Sequence, residues 1–445
     1  MKSLKNSYWI RSGFYSIGSR IFALLFGFGS FYILVRHFSK DDFGTWALFL
    51  TIITIIEASR NGLIQNALIK LVHSNDDEDT DKIISATWIL NTVYTLIIFL
   101  LLVLVSGLVS DLFQAPEIRK MFLYYGITIT LLIPFSQFNY IQQSKFSFSG
   151  IFWGAFVRYG TFFISNLIIH LLSIEITLSS LVLVQSFCTF LGLIISYILA
   201  RKFLMVRFEW SKEAFKKVFH FGKYVMGTNI FSMIYKSTDQ FAIGYFLNTS
   251  AVATYNAAVR LSNLIEYPTT SIAEIVYPKS TAQYAKGGEQ SSKLLFEQSV
   301  GITIGITLPM IAIVVLFAEP IIHIIAGPAY ADSVIILRFT ILFGLFTPFS
   351  RQFGTALDSS GRPKLNFYIL LASMIINIIT NIIGISYFGL MGACYGTLAS
   401  YIIIFIVNNY FMKKIFKIQL REVFKYLAQF YVTVFNVGMK ALKVK

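Results

Sequence analysis

The chain has 445 residues, of which 56% are hydrophobic and only 13% charged, with a mean hydropathy of +0.68 and a formal net charge of +15. That balance excludes an ordinary soluble domain, and apolar stretches of about twenty residues recur from end to end, so the chain reads as a polytopic membrane protein. The positive charge fits cytoplasmic loops under the positive-inside rule, and those loops are too short to form a nucleic-acid surface.

The N-terminus, MKSLKNSYWIRSGFYSIGSRIFALLFGFGSFYILV, is basic and then apolar. It is too long for a signal peptide and reads as the first membrane helix. About twelve spans follow from length against a hydrocarbon core of roughly 30 Å. In the first half they fall near 12–36, 43–71, 83–109, 119–142, 149–172 and 177–200. In the second they fall near 218–247, 250–278, 294–317, 331–357, 364–388 and 390–412. The sequence therefore predicts an all-α membrane protein. It has an N-terminal six-helix bundle (1–200), a basic connector (201–217), a C-terminal six-helix bundle (218–412) and a basic tail (413–445). In the tail, Leu420, Val423, Phe424, Leu427, Phe430, Tyr431 and Val434 form one stripe, the pattern of an amphipathic helix at the cytoplasmic interface. Most Lys and Arg fall on one side, leaving Arg36, Lys40, Arg119, Lys120 and Arg338 on the other. Both termini are thus expected in the cytoplasm.

The halves echo one another. FGTWALFLTIITIIEA (43–58) aligns with VATYNAAVRLSNLIEY (252–267), matching Glu57 to Glu266 and Trp46 to Tyr255. PFSQFNY (134–140) resembles PFSRQFGT (348–355), and Asn166 falls on Asn381 after one inserted residue. Six spans per half give both halves one orientation, with a pseudo-twofold axis along the membrane normal, as transporters commonly show.

Charges within spans mark the candidate site. The cations are Arg20, Arg60, Arg158, Lys236 and Arg260, and the anions are Glu57, Asp239, Glu266 and Glu274. Each would cost about 2.5–3.5 kcal/mol at a lipid-facing helix centre, so they should face a polar interior. Lys236 with Asp239, and Glu57 with Arg60, are three residues apart on one helical face and can neutralise each other. Arg20, Arg158 and Arg260 have no acid within one turn and suit an anionic ligand, whose oxygens the guanidinium fork matches. Asp239, Glu57, Glu266 and Glu274 suit ion coupling or gating, with a proton or sodium as the coupling species. Pro134, Pro268, Pro309 and Pro348 lie within the spans and would bend them. Cys188, Cys394 and the five histidines are scattered, so neither a disulfide framework, a metal site nor any cofactor is expected. No nucleotide-binding or hydrolase motif appears, so catalysis is not expected either.

Several segments resemble one family. LVRHFSKDDFGTWALFLTI (34–52) is similar to the first-loop signature of Wzx-type polysaccharide flippases of the multidrug/oligosaccharidyl-lipid/polysaccharide (MOP) exporter superfamily. DQFAIGYFLNTSAVATYNAAVRLSNLI (239–265) resembles the signature that opens their second half. GPAYADSVIILRFTILFGLF (327–346) and the segment 357–400, with its Gly-Arg-Pro turn and Asn-rich span, are similar to their late segments. Ser19-Arg20 resembles the Ser-Arg of related peptidoglycan-precursor flippases, which usually have about fourteen spans.

The resemblance implies a MATE/MOP-like fold and a flippase for undecaprenyl-diphosphate-linked oligosaccharide. Such a protein works from the cytoplasmic to the periplasmic leaflet of a bacterial inner membrane, by alternating access through a cationic cavity. It serves O-antigen, capsule or exopolysaccharide synthesis, with the lipid-linked glycan and bilayer as partners and a polysaccharide polymerase and glycosyltransferases as further candidates. A multidrug or small-solute cation antiporter of the same superfamily is the alternative, because one architecture serves both.

Overall fold

The computed structural model describes residues 2–74, 77–204 and 208–443, with the side chains of 2–14, 16, 17, 20, 73, 74, 77–79, 278, 285, 286, 437, 438 and 440–443 outside that description. Among the described residues the regular structure is entirely helical. The helices are α1 (Lys2–His37), α2 (Lys40–Arg60), α3 (Asn66–Ser74), α4 (Asp77–Leu112), α5 (Glu117–Ser144), α6 (Ser149–Leu171), α7 (Leu178–Ala200) and α8 (Lys212–Phe246). They continue with α9 (Thr249–Ser262), α10 (Glu266–Leu316), α11 (Ala318–Ile325), α12 (Ser333–Thr340), α13 (Thr347–Ser359), α14 (Pro363–Phe416) and α15 (Leu420–Lys443). Eight stretches among the described residues are long and apolar enough to cross a membrane. The segments expected to span all fall on helix, and two expected pairs share one long element each, α10 and α14.

Those long elements are broken by glycine. Gly288 in α10 and Gly389 in α14 take nearly the same left-handed backbone, φ 57° with ψ −140° and −138°. Glycine populates that region without strain. At Gly389 the chain doubles back, and Gly384, Gly392 and Gly396 bring the two arms of α14 together so closely that a Cβ would meet the facing backbone. Small residues at such crossings let backbones touch, the usual device of membrane helix packing.

Two compact units form. The first comprises 1–234 and 248–253 and the second 235–247 and 254–445. In the first, α1 packs on α6, α6 on α7, α7 on α5, and α5 on α4. Its core gathers Leu63, Ile64, Leu68, Ile83, Ile84 and Ile141. In the second, α10 packs on α13 and α15 around Phe296, Val300, Phe353, Leu357, Met412 and Val423. Leu96, Leu100, Leu104 and Leu108 of α4 are 59–69% exposed at four-residue spacing. Such a stripe lies on one helical face, and a continuous exposed apolar face of this kind fits lipid.

Local signals explain several helix ends. Ser39 caps α2 by accepting the Asp42 N–H at 3.1 Å, with Asp41 and Asp42 in the first turn where the helix dipole favours anions. Thr177 caps α7 through the Ser180 N–H at 3.2 Å. Three expected spans are interrupted by irregular turns: a π turn at Asn61–Gln65 and 3₁₀ turns at Asn263–Ile265 and Ile341–Leu345. Pro348 does not bend a helix interior as the sequence suggested. It opens α13 after the third of these turns, where its missing N–H has no helical partner to lose. Pro134 does sit inside a helix, α5.

The tail forms the expected helix, α15, but its apolar stripe is divided. Val423 is buried, Tyr426 and Leu427 close over Gly301 of α10, and Phe430 lies on Gly305. The Tyr431 hydroxyl donates to the Gly305 carbonyl at 3.0 Å, and the Glu297 carboxylate accepts the Gln419 N–H at 2.9 Å. Phe424 and Val434 of the same stripe are exposed.

Candidate functional site

The sequence marked nine charged positions, and the structure gathers six of them into two clusters, one in each unit. In the first unit Glu57 and Arg60 stand on the last turns of α2, immediately before the π turn. Here the Asn229 amide donates to the Ala58 carbonyl at 2.9 Å and the Tyr94 hydroxyl to that of Ile56 at 3.2 Å. Ser59 also bonds the Tyr94 hydroxyl, and Tyr140 donates to the Asn61 side chain at 2.5 Å.

Glu57 does not neutralise Arg60, although their spacing allowed it. Its carboxylate faces Arg158 of α6 at 3.6 Å and accepts a hydrogen bond from Tyr125 of α5 at 3.4 Å. Arg158 is buried and also lies over the rings of Phe135 and Tyr159, at 5.6 and 5.4 Å. Gly192 of α7 lets that helix approach the Arg158 backbone closely. Arg60 is only 2% exposed, and its Nε and Nη2 have no acceptor among the described residues. Tyr94, Tyr125 and Tyr140 lie around it. A buried guanidinium with unused donors is costly unless something anionic or polar meets it, and its fork suits phosphate oxygens.

In the second unit Lys236 and Asp239 likewise do not pair with each other. Lys236 reaches Glu266, the first residue of α10, at 2.5 Å, with both side chains roughly half exposed. Asp239 is buried and accepts the Tyr255 hydroxyl at 2.5 Å and the Gln240 N–H at 2.9 Å. Gln240 takes a further bond from Asn256 at 3.3 Å. Lys236, Asp239 and Glu266 line one cleft of this unit together with Tyr235, Phe343 and Tyr401. The 3₁₀ turns at Asn263–Ile265 and Ile341–Leu345 both contribute to its wall.

Arg260 ends α9 and Glu274 lies in α10, and neither lines that cleft. The side chain of Arg20 lies outside the described residues. The sequence reading missed Tyr94, Tyr125 and Tyr140 around Arg60, since a tyrosine within a span carries no signal of what it faces. Tyr255 had a signal, its match to Trp46 in the repeat, and both residues are buried. Among the described residues no three His, Cys, Asp or Glu side chains gather as a metal site would need.

Two helical units built of membrane-length segments, each sheltering charges that lipid would exclude, define a polytopic membrane protein. The model of a polysaccharide biosynthesis protein family matches residues 33–335, and the chain belongs to that family. A putative O-antigen transporter of Shigella flexneri is 23% identical over 415 residues, which cover 88% of this chain and 93% of that protein. Among solved structures, the lipid II flippase MurJ in an inward closed conformation has a TM-score of 0.75 at 16% identity, over 96% of this chain and 92% of that one. An inward-facing multidrug resistance MATE family transporter of the MOP superfamily also has a TM-score of 0.75 at 16% identity, over 89% of this chain and 96% of that one. The chain thus has the MATE/MOP-like fold. It spans less than half the length of the first curated relatives it matches, 43% and 45%.

Proposed function

We propose that this protein is a flippase that carries an oligosaccharide, linked through a diphosphate to a polyprenyl lipid such as undecaprenol, across a bacterial inner membrane. It works by alternating access, from the cytoplasmic to the periplasmic leaflet, with both termini in the cytoplasm, and it supplies surface polysaccharide synthesis. It performs no covalent chemistry. The observation that carries this reading is Arg60, a buried guanidinium with two donor atoms lacking an acceptor among the described residues, in a chain of the polysaccharide biosynthesis family. The diphosphate supplies the acceptors, and Arg158, which faces the partly exposed Glu57, adds a second positive charge. Asp239, buried and held by Tyr255, is the coupling carboxylate for a proton or sodium ion. A polymerase and glycosyltransferases act before and after the transport step.

One observation favours a second reading, cation antiport. The cleft of the second unit is lined by two carboxylates and one ammonium, a balance that attracts cations. The two readings separate in a deletion strain. Lipids are extracted and analysed by mass spectrometry, and the leaflet accessibility of lipid-linked sugars is followed. Build-up of a diphosphate-linked oligosaccharide on the cytoplasmic side is the expected result and identifies the cargo. An unchanged lipid pool with intact surface polysaccharide overturns the flippase, and drug accumulation in the same strain then tests the antiporter.

A further inference from the structure

The charged residues are the minority in the cleft of the second unit. The cleft is partly open to solvent. One wall is aromatic: Phe343 stacks on Tyr401 with ring centres 5.3 Å apart, and Tyr235 meets Tyr401 edge-on at 6.4 Å. The remaining lining is dominated by neutral donors and acceptors, among them Asn263, Asn377 and Thr340. Asn377 is a lining residue but is buried, and its backbone carbonyl accepts from Asn381 and Thr380. The Lys236–Glu266 pair is half exposed, so the ammonium keeps donors and the carboxylate keeps lone pairs beyond the one bond they share.

This lining suits one ligand chemistry better than the others. A diphosphate needs net positive charge and guanidinium forks, and here two carboxylates face one ammonium. A greasy organic cation needs a mainly apolar pocket with few polar groups. A sugar ring has an apolar C–H face and a rim of hydroxyls, each both donor and acceptor. An aromatic wall accepts the face, and carboxamides, which carry donor and acceptor side by side, match neighbouring hydroxyls.

We propose that this cleft binds a sugar ring of the transported glycan. The ring lies on the Phe343–Tyr401 wall with its hydroxyls on Asn263 and Glu266, and the acidic balance selects a neutral or amino sugar over a uronic acid. The inference rests on the flippase reading and adds the chemical group that the cleft of the second unit takes.

The test uses the full chain in phosphatidylcholine nanodiscs and saturation-transfer NMR with glucose, galactose, N-acetylglucosamine, glucosamine and glucuronic acid as separate probes. Farnesyl diphosphate is titrated in parallel as the probe for the arginine cluster. At least one neutral or amino sugar should show transfer to its ring protons, with glucuronic acid at background. Asn263→Ala, at an exposed position, should weaken that sugar by about fivefold, the loss of one net hydrogen bond, and leave farnesyl diphosphate unaffected. Phe343→Leu should weaken it as well, and a wild-type melting curve for each variant shows that it is folded. Absence of transfer for every neutral and amino sugar overturns the proposal, as does a signal indifferent to both variants or glucuronic acid as the strongest binder. If that happens while farnesyl diphosphate still binds and the deletion strain still accumulates lipid-linked glycan, only the sugar cleft has failed. If the deletion strain is silent and farnesyl diphosphate does not bind, the flippase reading has failed with it.

Discussion

Glu57 and Glu266 occupy matched positions in the internal repeat, and each ends up beside a cation, but the surroundings differ. Glu57 meets Arg158 at 3.6 Å with the arginine side chain only 10% exposed, under the Tyr125 hydroxyl. Glu266 meets Lys236 at 2.5 Å, with both side chains open to the cleft at 38% and 47%. The shorter contact is not the stronger one. Solvent screens the second pair, and two flexible side chains must be ordered to make it. The first pair holds a buried guanidinium whose charge has few other partners. Matched positions have thus diverged into a structural pair in one unit and an adaptable pair in the other.

The largest expected effect tests the structural half of that comparison. Glu57→Ala leaves Arg158 buried without its carboxylate. Loss of one partner of a buried pair costs roughly 3–5 kcal/mol, with the lower end apt here because Glu57 is one-third exposed. Thermal unfolding of the purified protein should show a clear fall in Tm, and adding Arg158→Met to the same chain should restore much of it. A melting curve no different from wild type would mean that water already screens Arg158, and the contrast with the second unit would disappear.

Arg60 sharpens the same contrast from the side of function. Its Nε and Nη2 have no acceptor to lose among the described residues, so Arg60→Met should keep or slightly raise Tm, as replacement of a buried charge by an apolar side chain of similar size often does. Transport of the lipid-linked glycan should nevertheless drop by about 10- to 100-fold, the loss of a charged hydrogen bond. Arg60→Lys should not recover it, because a point charge lacks the fork. A stable Arg60→Met protein with full transport would remove Arg60 from the diphosphate site.

The sequence could announce these positions but not their partners. Charge inside an apolar span is conspicuous, so Glu57, Arg60, Arg158, Lys236, Asp239 and Glu266 were all visible. Helical spacing then suggested Lys236 with Asp239 and Glu57 with Arg60, since three residues along a helix share a face. Both suggestions failed for one reason: partners come from other helices, and crossing geometry is not written in local spacing. Arg158 arrives on α6, Tyr125 on α5, and Glu266 stands after the 3₁₀ turn at Asn263–Ile265. The helices themselves were legible from the length of their apolar runs, down to the breaks at Gly288 and Gly389 between expected spans. The π turn at Asn61–Gln65 was not, because its Asn-Gly pair lies inside an apolar run long enough to read as one continuous span. The repeat was legible at burial and silent on chemistry. Asn166 and Asn381 are both buried, yet Asn381 bonds Thr397 at 3.0 Å while the Asn166 amide has no partner among the described residues.

Asp239 gives a smaller effect and tests whether the second unit is adaptable throughout. Tyr255→Phe removes the hydroxyl bond at 2.5 Å and leaves a buried carboxylate with the Gln240 N–H as its remaining bond among those described above. The expected cost is about 1–3 kcal/mol, the desolvation penalty of an acceptor left short of a donor. Asp239→Asn should cost less, because the amide oxygen still accepts from Tyr255. It should leave a folded protein whose transport no longer responds to a proton or sodium gradient across proteoliposomes. Gradient dependence identical to wild type in Asp239→Asn would sink the coupling role while leaving the Tyr255 result intact.

The smallest effect belongs to Lys236 and Glu266. A double-mutant cycle of Lys236→Met and Glu266→Gln on unfolding should return a coupling of at most about 1 kcal/mol, as for other solvent-facing pairs, in spite of the 2.5 Å contact. That coupling should shrink further as salt is raised, because exposed charges are screened within about 10 Å at 0.1 M. Each single variant should melt close to wild type, so any change in transport would be attributable to the cleft and not to folding. A salt-insensitive coupling of about 3 kcal/mol or more would instead be the signature of a dry, buried pair. The two glutamates of the repeat would then do the same structural work, and the cleft would be too rigid to exchange the Lys236–Glu266 contact for a ligand's hydroxyls.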